Sequence, residues 1–140
     1  MKWIIAFCDA KNIGLWKLFT KHRKGFSHCF AVQYIPAVKH WICMEFVTRG
    51  FKASILTDDE ATNMIGFMVK HCKCIEYEPT DKPIYVPRWL YCVSFMKHLC
   101  NVRKFWVLTP YQLYCELKKR GGKSIFEDNK ENSNGQPQSV

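Results

Sequence analysis

Two apolar, β-rich runs, "HCFAVQYI" (His28 to Ile35) and "HWICMEFV" (His40 to Val47), are separated only by "PAVK". Aromatic and β-branched residues favour extended backbone, and a connection of four residues containing a proline folds the second run back along the first. The spacing predicts an antiparallel hairpin in which the start of the first run lies opposite the end of the second. That pairing places Glu45 near His28.

The flanking segments decide what can cover such a hairpin. Trp3 to Cys8 reads as an opening strand, and Asn12 to Lys24 as either a short helix or a basic loop. "TDDEATNMIGFMVKHC" carries a capping box in Thr57 and Glu60, with Asp58 and Asp59 at the positive end of the helix dipole. Ala61, Met64, Ile65, Met68 and Val69 then recur at helical spacing and predict one buried face. "CIEYEPTDKPIYVPRW" suggests strand, turn and strand, with a break at Pro87. A second helix is expected from Cys92, with Cys92, Phe95, Met96, Leu99 and Cys100 on its apolar stripe and Lys97 and His98 off it. The third has Thr109 as N-cap, Pro110 at its first position, Gln112 completing the box, Leu113 and Leu117 buried, and Gly121 as its stop. Strands that cluster between helices without a βαβ rhythm predict an α+β fold with an antiparallel sheet packed against helices.

At 140 residues and 48% hydrophobic, the chain has enough apolar material for one core. The expected domain runs over residues 1–121, and the polar end, residues 122–140, is expected to be a disordered tail. Eight cysteines lie among Phe, Val, Ile and Met instead of in a loop-rich scaffold, which favours reduced thiols in a cytoplasm over a disulfide framework. The apolar run at the start, Trp3 to Cys8, is too short for a secretory leader or a membrane span.

Chemistry is suggested first by "LYCVSFMKHLC". A cysteine in the first turn of a helix meets unpaired backbone N–H groups and the positive end of the dipole, which favour a thiolate. Cys92 also falls on the apolar stripe, so it reads equally as a small core residue. His28 opens a β-run after "KGFS", where an imidazole projects from a strand end and can serve as the base that a cysteine nucleophile needs. Glu45, an acid in an otherwise apolar run, either orients that base or faces solvent, with His40 or Gln33 as alternatives for the orienting role.

"FSHCFAV", "HWICMEF", "LYCVSFMKHLC" and "VLTPYQLYCELKKRGG", in that order, resemble the circularly permuted branch of the NlpC-like, papain-fold cysteine hydrolases, which includes small phage and bacterial members. In that branch the His strand precedes the Cys helix. The resemblance spans roughly Trp3 to Arg120 and implies a papain-like fold, with Cys92 as nucleophile, His28 as base and Glu45 as orienter. It implies a peptidase or amidase acting on an amide or related acyl bond through a thioester, the substrate being a peptide or acyl-linked molecule such as a cell-wall peptide. A phage-encoded member would meet that substrate on lysis or with a virion. No cofactor and no metal enters this reading.

Two rivals remain. "HCKC" (His71, Cys72, Cys74) and "HC" (His28, Cys29) lack the paired spacing of zinc ligands. A net charge of +9 together with Trp16, Trp89 and Trp106 would suit a basic binding module for nucleic acid or a cell-wall polymer, on the same fold without catalysis.

Overall fold

The computed structural model describes residues 2–9, 23–47, 50–80 and 91–126. In chain order these form β1 (Trp3–Cys8), β2 (His28–Ile35), β3 (His40–Val47), β4 (Gly50–Leu56), α1 (Asp58–His71), β5 (Lys73–Tyr77), α2 (Cys92–Leu99), α3 (Pro110–Lys119) and β6 (Lys123–Ile125). The strands make one six-stranded sheet in the order β4-β3-β2-β1-β5-β6, and every neighbouring pair is antiparallel. The fold is α+β, and the β2–β3 hairpin is present with Phe30 opposite Glu45 and Ile35 opposite His40.

Alternation along the strands sorts the core into two layers. Ile5 and Phe7 of β1, Cys29 and Ala31 of β2, and Ile75 of β5 pack with Val93 and Met96 of α2 and with Leu113 and Leu117 of α3. Ala6 and Cys8, Phe30 and Val32, Cys43 and Cys74 form the other layer with Ala61 and Met68 of α1. Burial from both sides explains why β1 and most of β2 read as continuous apolar runs.

Both predicted capping boxes are made. The Glu60 amide donates to Thr57 Oγ1 at 3.4 Å while the Thr57 amide donates to the Glu60 carboxylate at 2.9 Å. At α3 the Gln112 amide donates to Thr109 Oγ1 at 3.2 Å and the Thr109 amide returns a bond to Gln112 Oε1 at 3.0 Å. Glu116 of α3 is buried at 6% exposure and clamped by Lys104 at 2.8 Å and Arg120 at 2.7 Å. Burial opposes its charge, but these two bonds overcome that and hold the carboxyl below the usual range.

Several expectations need correction. β4 is not among the expected strands, although Phe51, Ala53 and Ile55 alternate with Lys52 and Ser54 in the period of a strand. The ordered body also extends past residue 121, because Lys123–Ile125 pair with β5. Gly121 adopts φ +90°, and a Cβ on Gly122 would sit 2.6 Å from Ile75 and 2.8 Å from the Leu117 carbonyl, so only this glycine pair lets the chain turn off α3 onto the sheet edge. In α2 the buried residues are Val93, Ser94, Met96 and Lys97, followed by Cys100. The helix is thus rotated by about one residue from the expected stripe. Lys97 goes inward, where burial lowers its ammonium pKa, and Cys92 moves off the deepest line to a half-buried position. The expected second strand near Pro87, the end of the tail, and nearly all of Asn12 to Lys24 lie outside the described residues. Among the described residues no helix is long and apolar enough to cross a membrane.

Candidate active site

The end of β1 anchors the turn that delivers His28. The Gly25 amide donates to the Asp9 carboxylate at 2.8 Å, the Ser27 hydroxyl reaches the same carboxylate at 3.4 Å, and the Ser27 amide donates to the Cys8 carbonyl at 3.1 Å. Gly25 sits at φ +84°, a backbone conformation costly for residues with a Cβ. The chain leaves this turn with His28 opposite Cys8 in the β1–β2 register. As the first residue of its strand, His28 is flanked by sheet on one side only, and its ring is half-buried.

The start of α2 is fixed just as locally. Tyr91 is the N-cap in extended backbone, its amide donates to Ser94 Oγ at 3.1 Å, and the Ser94 hydroxyl donates back to the Tyr91 carbonyl at 2.9 Å. The Tyr91 hydroxyl donates to the Leu108 carbonyl at 3.1 Å and ties this end of α2 to the segment before α3. Cys92 therefore occupies the first helical position, where first-turn amides have no carbonyl partner within the helix.

The two elements meet at the Cys92 sulfur. It is hydrogen-bonded by the Cys29 thiol, by the His28 ring and by the Cys29 backbone. The Cys29 bond favours the thiolate most, burial opposes it, and the His28 bond and charge favour it again, bringing the Cys92 pKa to about 5. His28 responds in the opposite sense: burial works against its charge, but the adjacent Cys92 thiolate outweighs that, with Cys8 and Glu45 adding to it, so its pKa is raised. Cys29, fully buried, is driven well up by its surroundings and by the neighbouring Cys92 charge, so it remains a thiol and a donor. Both shifts favour a thiolate beside an imidazolium.

Glu45 lies opposite Phe30 on β2 and opposite Lys52 on β4. It shares a sheet face with Phe30, whose ring stacks on His28 at 6.5 Å, and it acts on His28 as a nearby charge. The alternatives for the orienting role are elsewhere. His40 closes the far end of the hairpin, where its Nδ1 meets the Val38 carbonyl, seven residues along the sheet from the site, or roughly 23 Å at the rise of a strand. Gln33 is buried on the opposite face from Phe30, and its side-chain amide donates to the Lys2 carbonyl at 3.1 Å.

Sequence reasoning missed Cys29 and Cys8. Cys29 enters only as half of a rejected metal pair, yet its position one residue after His28 puts it under α2. Cys8 ends β1, and its partner is Cys72, which continues the β1–β5 register one step beyond Phe7 and Lys73. These two thiols are hydrogen-bonded and each is 5% exposed, and Cys8 is pushed far up by Cys72 and by burial. Among the described residues no group of three or more His, Cys, Asp or Glu side chains is placed to hold a metal ion.

Comparison with protein-family models, with curated proteins and with solved structures returned no match to this chain, so any functional reading rests on its own residues and their geometry.

Proposed function

We propose that the chain is a cysteine hydrolase of the permuted, NlpC-like, papain-fold type, acting on an amide or related acyl bond. One observation carries the reading: a helix-start thiol in hydrogen-bond contact with a strand-start imidazole, each shifting the other toward its charged form.

In this reaction the Cys92 thiolate attacks the acyl carbon, and the first-turn amides of α2 stabilise the oxyanion that develops. The His28 imidazolium gives its proton to the leaving nitrogen, which departs and leaves a Cys92 thioester. His28, now neutral, takes a proton from water as the water attacks the thioester, and the acid is released with the thiolate restored. Glu45 supports the imidazolium through its charge. A short peptide, including one from a cell wall, suits the reading. Reduced thiols fit a cytoplasmic protein, with lysis or a virion as the route to such a substrate. An activated ester mixed with the protein is expected to leave an acyl group on Cys92, detected by mass spectrometry and absent in Cys92→Ala. Acylation spread over other residues, or none, would contradict the reading.

A second reading has its own observation. Phe105, Trp106 and Leu108, between α2 and α3, are 79%, 54% and 56% exposed, and Lys104 lies 5.6 Å from the Trp106 ring centre. On a chain of net charge +9 this is a platform on which a base or a sugar could stack. Trp16 and Trp89 lie outside the described residues. Oligonucleotide binding that falls steeply with salt and is untouched by Cys92→Ala would favour a binding module.

A further inference from the structure

In hydrolysis the Cys29 thiol serves only as a hydrogen-bond donor, yet it lies directly against the Cys92 sulfur. The two differ in access. Cys92 is half-buried at the start of α2, whereas Cys29 is fully covered beneath that helix. A small oxidant from solvent therefore meets Cys92 first, and Cys29 can react only with what Cys92 becomes. We propose that Cys92 and Cys29 are a peroxide-driven disulfide site, with Cys92 as the peroxidatic sulfur and Cys29 as the resolving thiol.

The chemistry balances with a hydroperoxide as the oxidant. The Cys92 thiolate attacks one peroxide oxygen and the O–O bond breaks. The departing oxygen takes the His28 proton and leaves as water or an alcohol, and Cys92 becomes a sulfenic acid. The Cys29 sulfur then attacks the Cys92 sulfur, the S–O bond breaks, and the hydroxyl leaves as water with the Cys29 proton. Cys92 loses two electrons in the first step, and the disulfide stores that oxidation until an external thiol reduces it. The result would be a site switched off by peroxide yet protected from irreversible oxidation.

Cys8 and Cys72 form the obvious competitor. They too are hydrogen-bonded neighbours, but both are nearly covered and neither stands at a helix start. Burial and the Cys72 partner hold Cys8 as a thiol, the form that reacts poorly with peroxide.

The proposal rests on Cys92 being a thiolate, as in the hydrolase reading, but not on hydrolysis itself. The full reduced chain would first be alkylated with iodoacetamide at about pH 6. A separate sample would be treated with hydrogen peroxide, blocked, digested without reductant and mapped by mass spectrometry. The expected product is a Cys29–Cys92 cross-linked peptide that dithiothreitol reverses. In Cys29→Ser, whose hydroxyl still donates to Cys92, and more slowly in Cys29→Ala, which removes that donor, Cys92 should pass to sulfinic and sulfonic acids, and the fraction recovered by reductant should fall about tenfold. Mapping of the unaltered chain keeps the test valid if either variant folds poorly. Overoxidised Cys92 without a cross-link, or a disulfide at Cys8–Cys72 or any other pair, would overturn the proposal while leaving the hydrolase reading intact. Failure of Cys92 to alkylate in the first sample would overturn both.

Discussion

Two hydrogen-bonded thiol pairs flank the same histidine and meet opposite fates. Cys92 with Cys29 lies at the start of α2, and Cys8 with Cys72 lies under α1, where Cys8 faces His28 across the β1–β2 register. The chemical groups are identical, and burial raises the thiol pKa in both places. At Cys92 that penalty is outweighed by a donor thiol, an imidazole and the Cys29 backbone, and the pKa falls to about 5. At Cys8 the main partner is another thiol, His28 gives only a weak favourable charge, and the pKa rises far above the ordinary range. A buried cysteine becomes reactive through the donors aimed at its sulfur, not through burial or proximity to a histidine alone.

The widest separation of the two pairs is expected in turnover. Cys92→Ala should lower hydrolysis of an activated acyl substrate by about 10³-fold or more, whereas Cys8→Ala should leave it within about threefold in the fraction that folds. Equal losses from the two variants, measured as kcat/KM on proteins of matched circular dichroism, would erase the distinction.

The same balance operates at Glu116, the buried charge on α3 that keeps its ionised form because Lys104 and Arg120 hold it. Glu116→Ala is expected to cost about 1–2 kcal/mol in urea unfolding, since the Lys104 and Arg120 charges it leaves behind reach water. Its folded pKa is lowered, so the contribution is fully present above the unfolded carboxyl value of about 4.3 and is lost as pH falls through the folded value. The difference between unaltered chain and variant should therefore shrink in acid. A difference that grew in acid would mean that the carboxyl is neutral in the folded protein.

Much of the frame around these groups is legible in the sequence. The β2–β3 hairpin follows from two β-rich runs across "PAVK", and α1 and α3 follow from capping boxes whose hydrogen bonds are all made. Local signals of this kind depend on residues a few positions apart. The register that sets Cys8 between Cys72 and His28 joins segments far apart in the chain, and periodicity within any one strand says nothing about it. Cys92 shows the limit from within a single helix. The stripe read from apolar spacing lies one residue off, and since each residue turns the helix by about 100°, that offset separates a core cysteine from one at the edge of the core. Glu45 is expected near His28, and the register sets it opposite Phe30, two residues along β2, from where its charge acts on the ring.

The smallest effect is expected from that residue. Because Glu45 acts on His28 as a charge, Glu45→Gln should change Cys92 alkylation by about threefold or less, under ~1 kcal/mol. A loss as large as that of a His28 variant would make Glu45 a direct partner of the ring.

The measurement closest to the central claim is iodoacetamide alkylation across pH, resolved by site with mass spectrometry, in the unaltered chain and in His28→Ala. Cys92 should react as a thiolate with a midpoint near the low value of about 5, and Cys8 should stay unmodified until the protein unfolds. Without His28 the Cys92 midpoint should rise by more than about one unit. The midpoint, and not the rate at one pH, is the readout, since a less acidic thiol is a better nucleophile and offsets much of the lost thiolate. If Cys92 instead titrates like an ordinary thiol, or is indifferent to His28, the pair is packing and not chemistry, and the hydrolase reading fails with it.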